Sequence, residues 1–177
     1  LPMSGVITNS EREVIGALAV TELLRGGVTT ILEMEEDAEL FAPFIESSGI
    51  RAFIGVMVND VNLDALASGQ TVFDDAVRTQ QLSQAIGLAE RWHGRSDSRI
   101  QAVMAANGLS MSSPALLKGL RAAADDLGLR VSIHLGFGER ELVESVHHRA
   151  QLDYATDCGM LGTDVIAVHC YDVDEAE

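Results

Sequence analysis

Residues 130–141, RVSIHLGFGERE, form an apolar run that ends in a histidine and then passes through two glycines into an acidic segment. Residues 164–175, DVIAVHCYDVDE, repeat the first half of this pattern. Both runs are nearly continuously apolar, which is typical of strands buried on both faces, as in parallel sheets. The pattern therefore predicts two buried strands, each with a histidine, His134 or His169, at its carboxyl end.

Three further apolar runs, at residues 28–34, 50–58 and 100–106, have the same character, and amphipathic helical patterns separate all of these runs. Strands that alternate with helices predict parallel strands joined by right-handed crossovers in a single α/β domain over residues 1–177. Two architectures satisfy the pattern: a doubly wound open sheet, and a contiguous part of a (β/α)8 barrel. Because a complete barrel takes about 250 residues, the chain supplies part of one at most.

Glycines and capping residues mark the ends of the predicted helices. Gly94, Gly128 and Gly162 each follow a helical stretch at a regular interval, and each is predicted to take the left-handed conformation that ends a helix. Ser10 with Glu13 fits a capping box at the start of the first helix. The spacing of these signals is that of repeated strand and helix units.

The composition excludes several classes of function. With 12 basic against 27 acidic residues and a net charge of −15, the chain lacks the clustered lysine and arginine that nucleic acids and anionic membranes require. It contains no run of about 18 apolar residues that would span a membrane. Cys158 and Cys170 are isolated, which predicts reduced thiols, and the sequence shows no leader pattern, so we expect a cytoplasmic protein.

The two strand-end histidines are the leading candidates for chemistry. In parallel α/β folds the carboxyl ends of the strands form the rim where active sites lie. Adjacent strands are about 4.8 Å apart, so imidazoles on neighbouring strands can converge on one metal ion at about 2.1 Å from each nitrogen. The alternative is that His134 and His169 are hydrogen-bonded core histidines, and the residues alone leave both interpretations open.

The other histidines are weaker candidates. His147 and His148 are adjacent within a predicted helix, where neighbouring side chains point in different directions, so we expect a solvated helix face. His93 follows a predicted helix, where a cation suits the helix dipole. No phosphate-binding loop or serine nucleophile motif is present in the sequence.

Three segments resemble the amidohydrolase superfamily, in the branch that contains chlorotriazine hydrolases, guanine deaminase and adenosine-type deaminases. They are GALAVTELLRGGVTTILEM at residues 16–34, RVSIHLGFGERELV at residues 130–143 and LGTDVIAVHCYDVDEAE at residues 161–177. The resemblance implies the central portion of a distorted (β/α)8 barrel, about strands 2 to 6. It also implies that this chain is a fragment of a larger metal-dependent hydrolase.

The same resemblance implies roles for individual residues. His134 falls on a metal ligand, and His169 falls on a catalytic histidine that binds the metal or orients the attacking hydroxide. Asn107, Phe137 and Asp172 fall on positions that contact or serve the substrate. The implied cofactor is one divalent metal, zinc or iron, in the full-length protein, and the implied substrate is a small cyclic or amide molecule. We also expect a homo-oligomer.

The sequence departs from this family at several positions. Deaminases of the branch carry a proton-shuttling glutamate where this chain has Phe137, and histidines where it has Asn107 and Asp172. Glu139 is predicted to open a helix instead. The family's His-x-His pair and its last metal-binding aspartate have no counterpart here. A second hypothesis is therefore a non-catalytic α/β module that binds a small ligand or a protein and has both sheet edges covered.

Overall fold

The structure, a computed structural model, describes residues 6–173. Five parallel strands form one sheet in the order β1-β2-β3-β4-β5. The strands are β1 (Thr30–Glu35), β2 (Arg51–Val58), β3 (Ile100–Ala106), β4 (Arg130–Leu135) and β5 (Val165–His169). The helices are α1 (Asn9–Arg25), α2 (Ala38–Ser48), α3 (Leu63–Ala67), α4 (Asp75–Trp92), α5 (Arg95–Ser98), α6 (Pro114–Leu127), α7 (Arg140–His147) and α8 (Gln151–Asp157).

The strand order decides between the two predicted architectures. A doubly wound sheet reverses its strand order at a switch point, whereas here every strand lies beside its neighbours in sequence. A parallel sheet wound in one direction is the arrangement of a (β/α)8 barrel. The chain is therefore an arc of such a barrel, as the resemblance implied, and the doubly wound alternative is wrong.

The main core lies between the sheet and its helices. Ile54, Met104 and Ile133, from three neighbouring strands, are fully buried. They belong to one apolar cluster with Leu88 of α4 and Leu120 of α6. Alternate strand residues face this cluster because side chains in a strand point to opposite faces in turn. The remaining positions, including His134, point to the inner face of the arc.

The two outermost strands leave the sheet open at both sides. Within residues 6–173, β1 pairs with β2 alone and β5 pairs with β4 alone. Phe53 and Met57, which alternate with the core residues of β2, are only half-buried on the inner face. These open edges match the prediction of a partial barrel and oppose the covered edges that the non-catalytic hypothesis predicted.

Most helix signals are confirmed, with two corrections. The capping box of α1 is formed by Thr8 and Glu11 instead of Ser10 and Glu13, because the helix begins two residues earlier than predicted. Gly128 ends α6 in the left-handed conformation. The predicted cap at Gly162 is wrong, because the glycine with a left-handed φ after α8 is Gly159. Among the described residues, none of the helices has the length and apolar character to cross a membrane.

Candidate active site

The two strand-end histidines meet at the rim of the arc. The ring centroids of His134 and His169 lie 4.9 Å apart, with an angle of 59° between the ring planes. His134 is half-buried and His169 is exposed. Both lie at the carboxyl ends of paired strands, where β4 and β5 run side by side. The structure thus brings together the two residues that the sequence singled out.

Local backbone geometry explains how the His169 ring reaches His134. In the sheet His169 lies beside Leu135, a buried residue on the helix-covered face. Regular alternation would therefore send the His169 side chain away from His134. His169 instead has φ +79° and Cys170 has φ +53°, left-handed values that interrupt the extended strand. Such strained backbone is uncommon outside glycine and occurs often at functional sites.

The spacing of the rings fits two ligands of one metal ion. An ion about 2.1 Å from one nitrogen of each ring, with tetrahedral angles, places the two centroids about 5 Å apart. The observed separation between His134 and His169 is 4.9 Å. Within residues 6–173, no group of three or more metal-binding side chains shares one such position. The two imidazoles therefore fit part of a ligand set, since catalytic zinc sites use three or more protein ligands.

The surroundings of His134 favour its neutral form. Burial first, and the neighbouring His169 second, lower the pKa of His134, while the Asn107 backbone and Glu139 act in the opposite direction. The neutral imidazole is the form that binds a metal ion, because one of its ring nitrogens keeps a free lone pair.

Phe137 lies over the histidine pair. Its ring centroid is 6.1 Å from that of His134 and 5.5 Å from that of His169. Two glycines with left-handed φ, Gly136 at +60° and Gly138 at +93°, flank Phe137 and fold this segment back over the rim. The Tyr171 hydroxyl donates to the Phe137 carbonyl. An apolar ring therefore lies against both imidazoles of the pair.

The two other predicted substrate residues have different surroundings. Asn107 follows β3, and its N–H donates to the Val58 carbonyl at 2.9 Å. Asp172 follows β5, and its carboxylate lies 3.6 Å from Arg140 Nε. The Asp172 carbonyl also accepts a hydrogen bond from Arg140 Nη2 at 3.0 Å. The described contacts thus fix the Asn107 backbone at the end of β2 and tie Asp172 to α7.

Two buried carboxylates near the rim were not predicted as site residues. Glu139 is 4% exposed and accepts hydrogen bonds from the backbone N–H groups of Leu109 and Ser110. Asp60, fully buried after β2, accepts from the N–H and hydroxyl of Ser113. A sequence signal existed for Asp60, because a carboxylate directly after an apolar strand lies at the rim. Glu139 was assigned to the opening of α7, yet its side chain makes no capping hydrogen bond there.

The sequence predicted that His147 lies on a solvated helix face, and this prediction is wrong. Its ring stacks between Phe73, at 5.6 Å, and Tyr154, at 3.9 Å. Its Nε2 lies 3.0 Å from the Leu109 carbonyl. Phe73 is distant in sequence, so no local pattern indicated this contact. His148, in contrast, is exposed and ends α7 with a left-handed φ.

Acid is expected to destabilise the protein through His147. Burial is the main cause that lowers the pKa of His147, with His148 acting in the same direction, against the Leu109 carbonyl, Glu139 and Asp60. Because the unfolded ring binds a proton more readily than the folded one, this contribution is complete above the ordinary histidine pKa of about 6.5 and is lost as pH falls below it.

Urea denaturation at about pH 7 and about pH 5 measures this loss. Between these two pH values, we expect the free energy of unfolding to fall less in His147→Gln than in the wild type. His148→Asn, which suits the left-handed backbone, serves as the control and should keep the wild-type difference. Equal losses in His147→Gln and the wild type would contradict the assignment.

Comparison with known proteins shows the family to which the chain belongs. A sequence model of the Amidohydrolase family matches residues 2–177. A 5'-deoxyadenosine deaminase of Methanobrevibacter smithii is 30% identical over 171 residues, which cover 95% of this chain and 37% of that protein. A 5-methylthioadenosine/S-adenosylhomocysteine deaminase of Symbiobacterium thermophilum is 27% identical over 90% of this chain and 35% of that protein. The chain thus spans little more than a third of these relatives.

Solved structures show the same fold. Guanine deaminase of E. coli superposes with a TM-score of 0.79 at 20% identity, over 96% of this chain and 39% of that chain. An adenosine deaminase of Xanthomonas campestris with bound zinc gives a TM-score of 0.79 at 23% identity, over 98% of this chain and 38% of that one. In both comparisons nearly all of this chain corresponds to one part of a larger protein.

Proposed function

Because the chain belongs to the amidohydrolase family, we propose that it forms part of the active site of a metal-dependent hydrolase that cleaves a C–N bond in a small cyclic or amide substrate. The observation that carries this proposal is the 4.9 Å separation of the His134 and His169 rings at the strand ends. The chain supplies five strands of the barrel, and its open edges are where the remaining strands pair.

His134 is proposed to hold the metal, and His169 is proposed to hold it or to orient the attacking water. Imidazole nitrogens suit zinc and iron, which are the metals we propose. When bound, such an ion supplies a hydroxide nucleophile at neutral pH by lowering the pKa of a water molecule to about 7. The neutral form of His134, favoured by burial, leaves a nitrogen lone pair available to the ion.

The reaction forms a C–O bond from water and breaks the C–N bond, and the departing amine takes up a proton. Phe137 cannot transfer that proton, since its ring carries no ionisable group. His169 lies beside His134 and Phe137 on the exposed rim. In the arrangement in which His169 orients the water instead of holding the metal, we assign it the proton transfer. Phe137 provides an apolar surface for the substrate ring. Asn107 and Asp172 are proposed as further substrate contacts at the exits of β3 and β5.

We propose that the bond broken is the one between a purine ring carbon and its amino group. The similar proteins are named for 5'-deoxyadenosine, 5-methylthioadenosine and S-adenosylhomocysteine. With guanine, these compounds form a panel for an assay of ammonia release.

Homo-oligomer formation and a cytoplasmic location stay predictions. Light scattering tests the oligomeric state, and a monomer would contradict the first prediction. Subcellular fractionation tests the location, and recovery outside the cytoplasm would contradict the second.

Metal analysis of the purified full-length protein tests the proposed function. We expect about one equivalent of zinc or iron per chain in the wild type and less than about 0.2 in His134→Ala. His148→Asn, which changes an exposed histidine of the same region, should keep the full content. Less than about 0.2 equivalents in the wild type, together with unaltered ammonia release in His134→Ala, would overturn the proposal.

A further inference from the structure

Asn59 lies directly after β2, and its side chain faces the inner surface of the arc. Val58, the last residue of β2, belongs to the core between the sheet and the helices. Asp60 faces the same side as Val58, since its carboxylate contacts Ser113 at the start of α6 and Arg78 of α4. Side chains of an extended segment alternate between the two faces. Asn59, between Val58 and Asp60, therefore points to the inner face.

The strand pairing places Asn59 in one row with Asn107 and His134. Val58 is paired with Ala106 of β3, and Ala106 is paired with the residue before His134 in β4. Asn59, Asn107 and His134 thus occupy the next position on three neighbouring strands. Because neighbouring strands are about 4.8 Å apart, Asn59 lies about 10 Å from His134 along the row, with Asn107 between them.

The Asn59 amide is buried without a hydrogen-bond partner. Asn59 is 7% exposed, and among the residues that the structure describes its side chain forms no hydrogen bond. The next asparagine of the chain, Asn62, has a partner, because its side-chain oxygen accepts from the Ala65 N–H at 3.0 Å. Most buried side-chain polar groups in proteins have such a partner. The Asn59 amide therefore keeps its donors and its acceptor available at the inner face.

Asn107 provides a second available amide beside Asn59. Asn107 is half-buried, and its side chain forms no hydrogen bond within the described part of the chain. An amide has one acceptor oxygen and two N–H donors and carries no charge, and a hydroxyl group both donates and accepts. Two neighbouring hydroxyl groups on a substrate therefore match two neighbouring amides. Since Asn59 lies away from the histidine pair, these hydroxyl groups lie away from the carbon under attack.

We propose that Asn59 is a specificity-determining residue, which together with Asn107 binds two neighbouring hydroxyl groups of a sugar attached to the substrate ring. This inference rests on the proposed function, which places the reacting carbon at His134 and His169. It narrows the substrate class to nucleosides, because ribose carries such a pair of hydroxyl groups and a free purine base does not. In an adenine nucleoside the ribose and the amino group are attached to different rings of the purine.

Two ligands test the role of Asn59. Adenosine and 2',3'-dideoxyadenosine differ only in the two neighbouring hydroxyl groups of the ribose. Calorimetry measures their dissociation constants with full-length protein from which a chelator has removed metal, so that neither ligand is hydrolysed. We expect Asn59→Leu to weaken adenosine binding by about 10-fold, the size of one hydrogen bond. The affinity for 2',3'-dideoxyadenosine should stay at the wild-type value. An equal loss for both ligands, or no loss for adenosine, would overturn the role.

The stability of the variants separates ligand binding from a structural role. Leucine replaces an amide that has no partner with an apolar group of similar size, so Asn59→Leu should keep or raise the urea denaturation midpoint. Asn62→Leu is the matched control. It removes the hydrogen bond to Ala65 at the start of α3, so we expect a lower midpoint with wild-type affinity for adenosine. A lower midpoint in Asn59→Leu with unchanged adenosine affinity would show a structural amide and overturn the role.

A second variant keeps the test independent of how leucine packs. Alanine is smaller than asparagine and also lacks the amide, so Asn59→Ala should show the same loss for adenosine alone. Wild-type affinity for adenosine in folded Asn59→Ala would contradict the proposed contact.

Ammonia release separates this inference from the proposed function. Adenosine binding that Asn59→Leu weakens, in a protein that releases no ammonia from any compound of the panel, would support the role of Asn59 and contradict the proposed function. Ammonia release from the panel, with equal adenosine affinity in the wild type and Asn59→Leu, would overturn the role of Asn59 alone. A wild-type protein that does not bind adenosine would also overturn it.

Discussion

Asparagine in place of His169 is expected to lower kcat/KM for ammonia release by about 10²–10⁴-fold, the range over which a positioned acid or base accelerates a reaction. The physical reason is that the exposed imidazole beside His134 is the group to which we assign water orientation and proton transfer. Asparagine suits this position because it tolerates the left-handed φ of +79°. The fold should therefore survive while the ionisable ring is lost.

The matched control is Cys170→Asn. Cys170 is exposed and has a left-handed φ of +53°, so this change tests the backbone without removing an imidazole. We expect near wild-type kcat/KM for this variant across the substrate panel. An unchanged rate in folded His169→Asn would contradict the catalytic assignment.

Alanine in place of Asp60 is expected to lower the free energy of unfolding by about 3 kcal/mol, the size reported for removal of one partner from a buried charged pair. The Asp60 side chain is fully buried, and its Oδ2 lies 3.8 Å from Arg78 Nη1. The Asp60 carboxylate also binds the N–H of Ser113, whose hydroxyl caps α6 through the Leu116 N–H. Its removal leaves buried donors without an acceptor, which is more destabilising than the loss of an exposed contact.

Asp75 provides the control for this prediction, because it contacts the same arginine. Asp75 Oδ1 lies 2.8 Å from Arg78 Nη1, but the Asp75 side chain is 88% exposed. Exposed ion pairs contribute little to stability, so Asp75→Ala should leave the urea denaturation midpoint almost unchanged. Equal midpoints for Asp60→Ala and Asp75→Ala would show that burial does not govern these contacts.

The secondary structure and the position of the two histidines followed from local patterns. The five apolar runs became β1 to β5, and His134 and His169 lie at the ends of β4 and β5. Burial on both faces demands a continuous apolar run, whatever the order of the strands. The prediction of buried strands is wrong for β1 and β5, which lie at the open edges and are half-buried or exposed. The resemblance to the amidohydrolase family then added the barrel, which local patterns left open.

Only the tertiary structure decided which groups meet at the rim. His169 reaches His134 because its backbone turns left-handed at the strand end, a conformation that the sequence does not signal for histidine. Glu139 binds Leu109 and Ser110 across 29–30 residues of chain, and His147 stacks on the still more distant Phe73. Local patterns report which face of an element is apolar, because that depends on near neighbours in the chain. They do not report which polar groups share a hydrogen bond, because that depends on how separate elements pack.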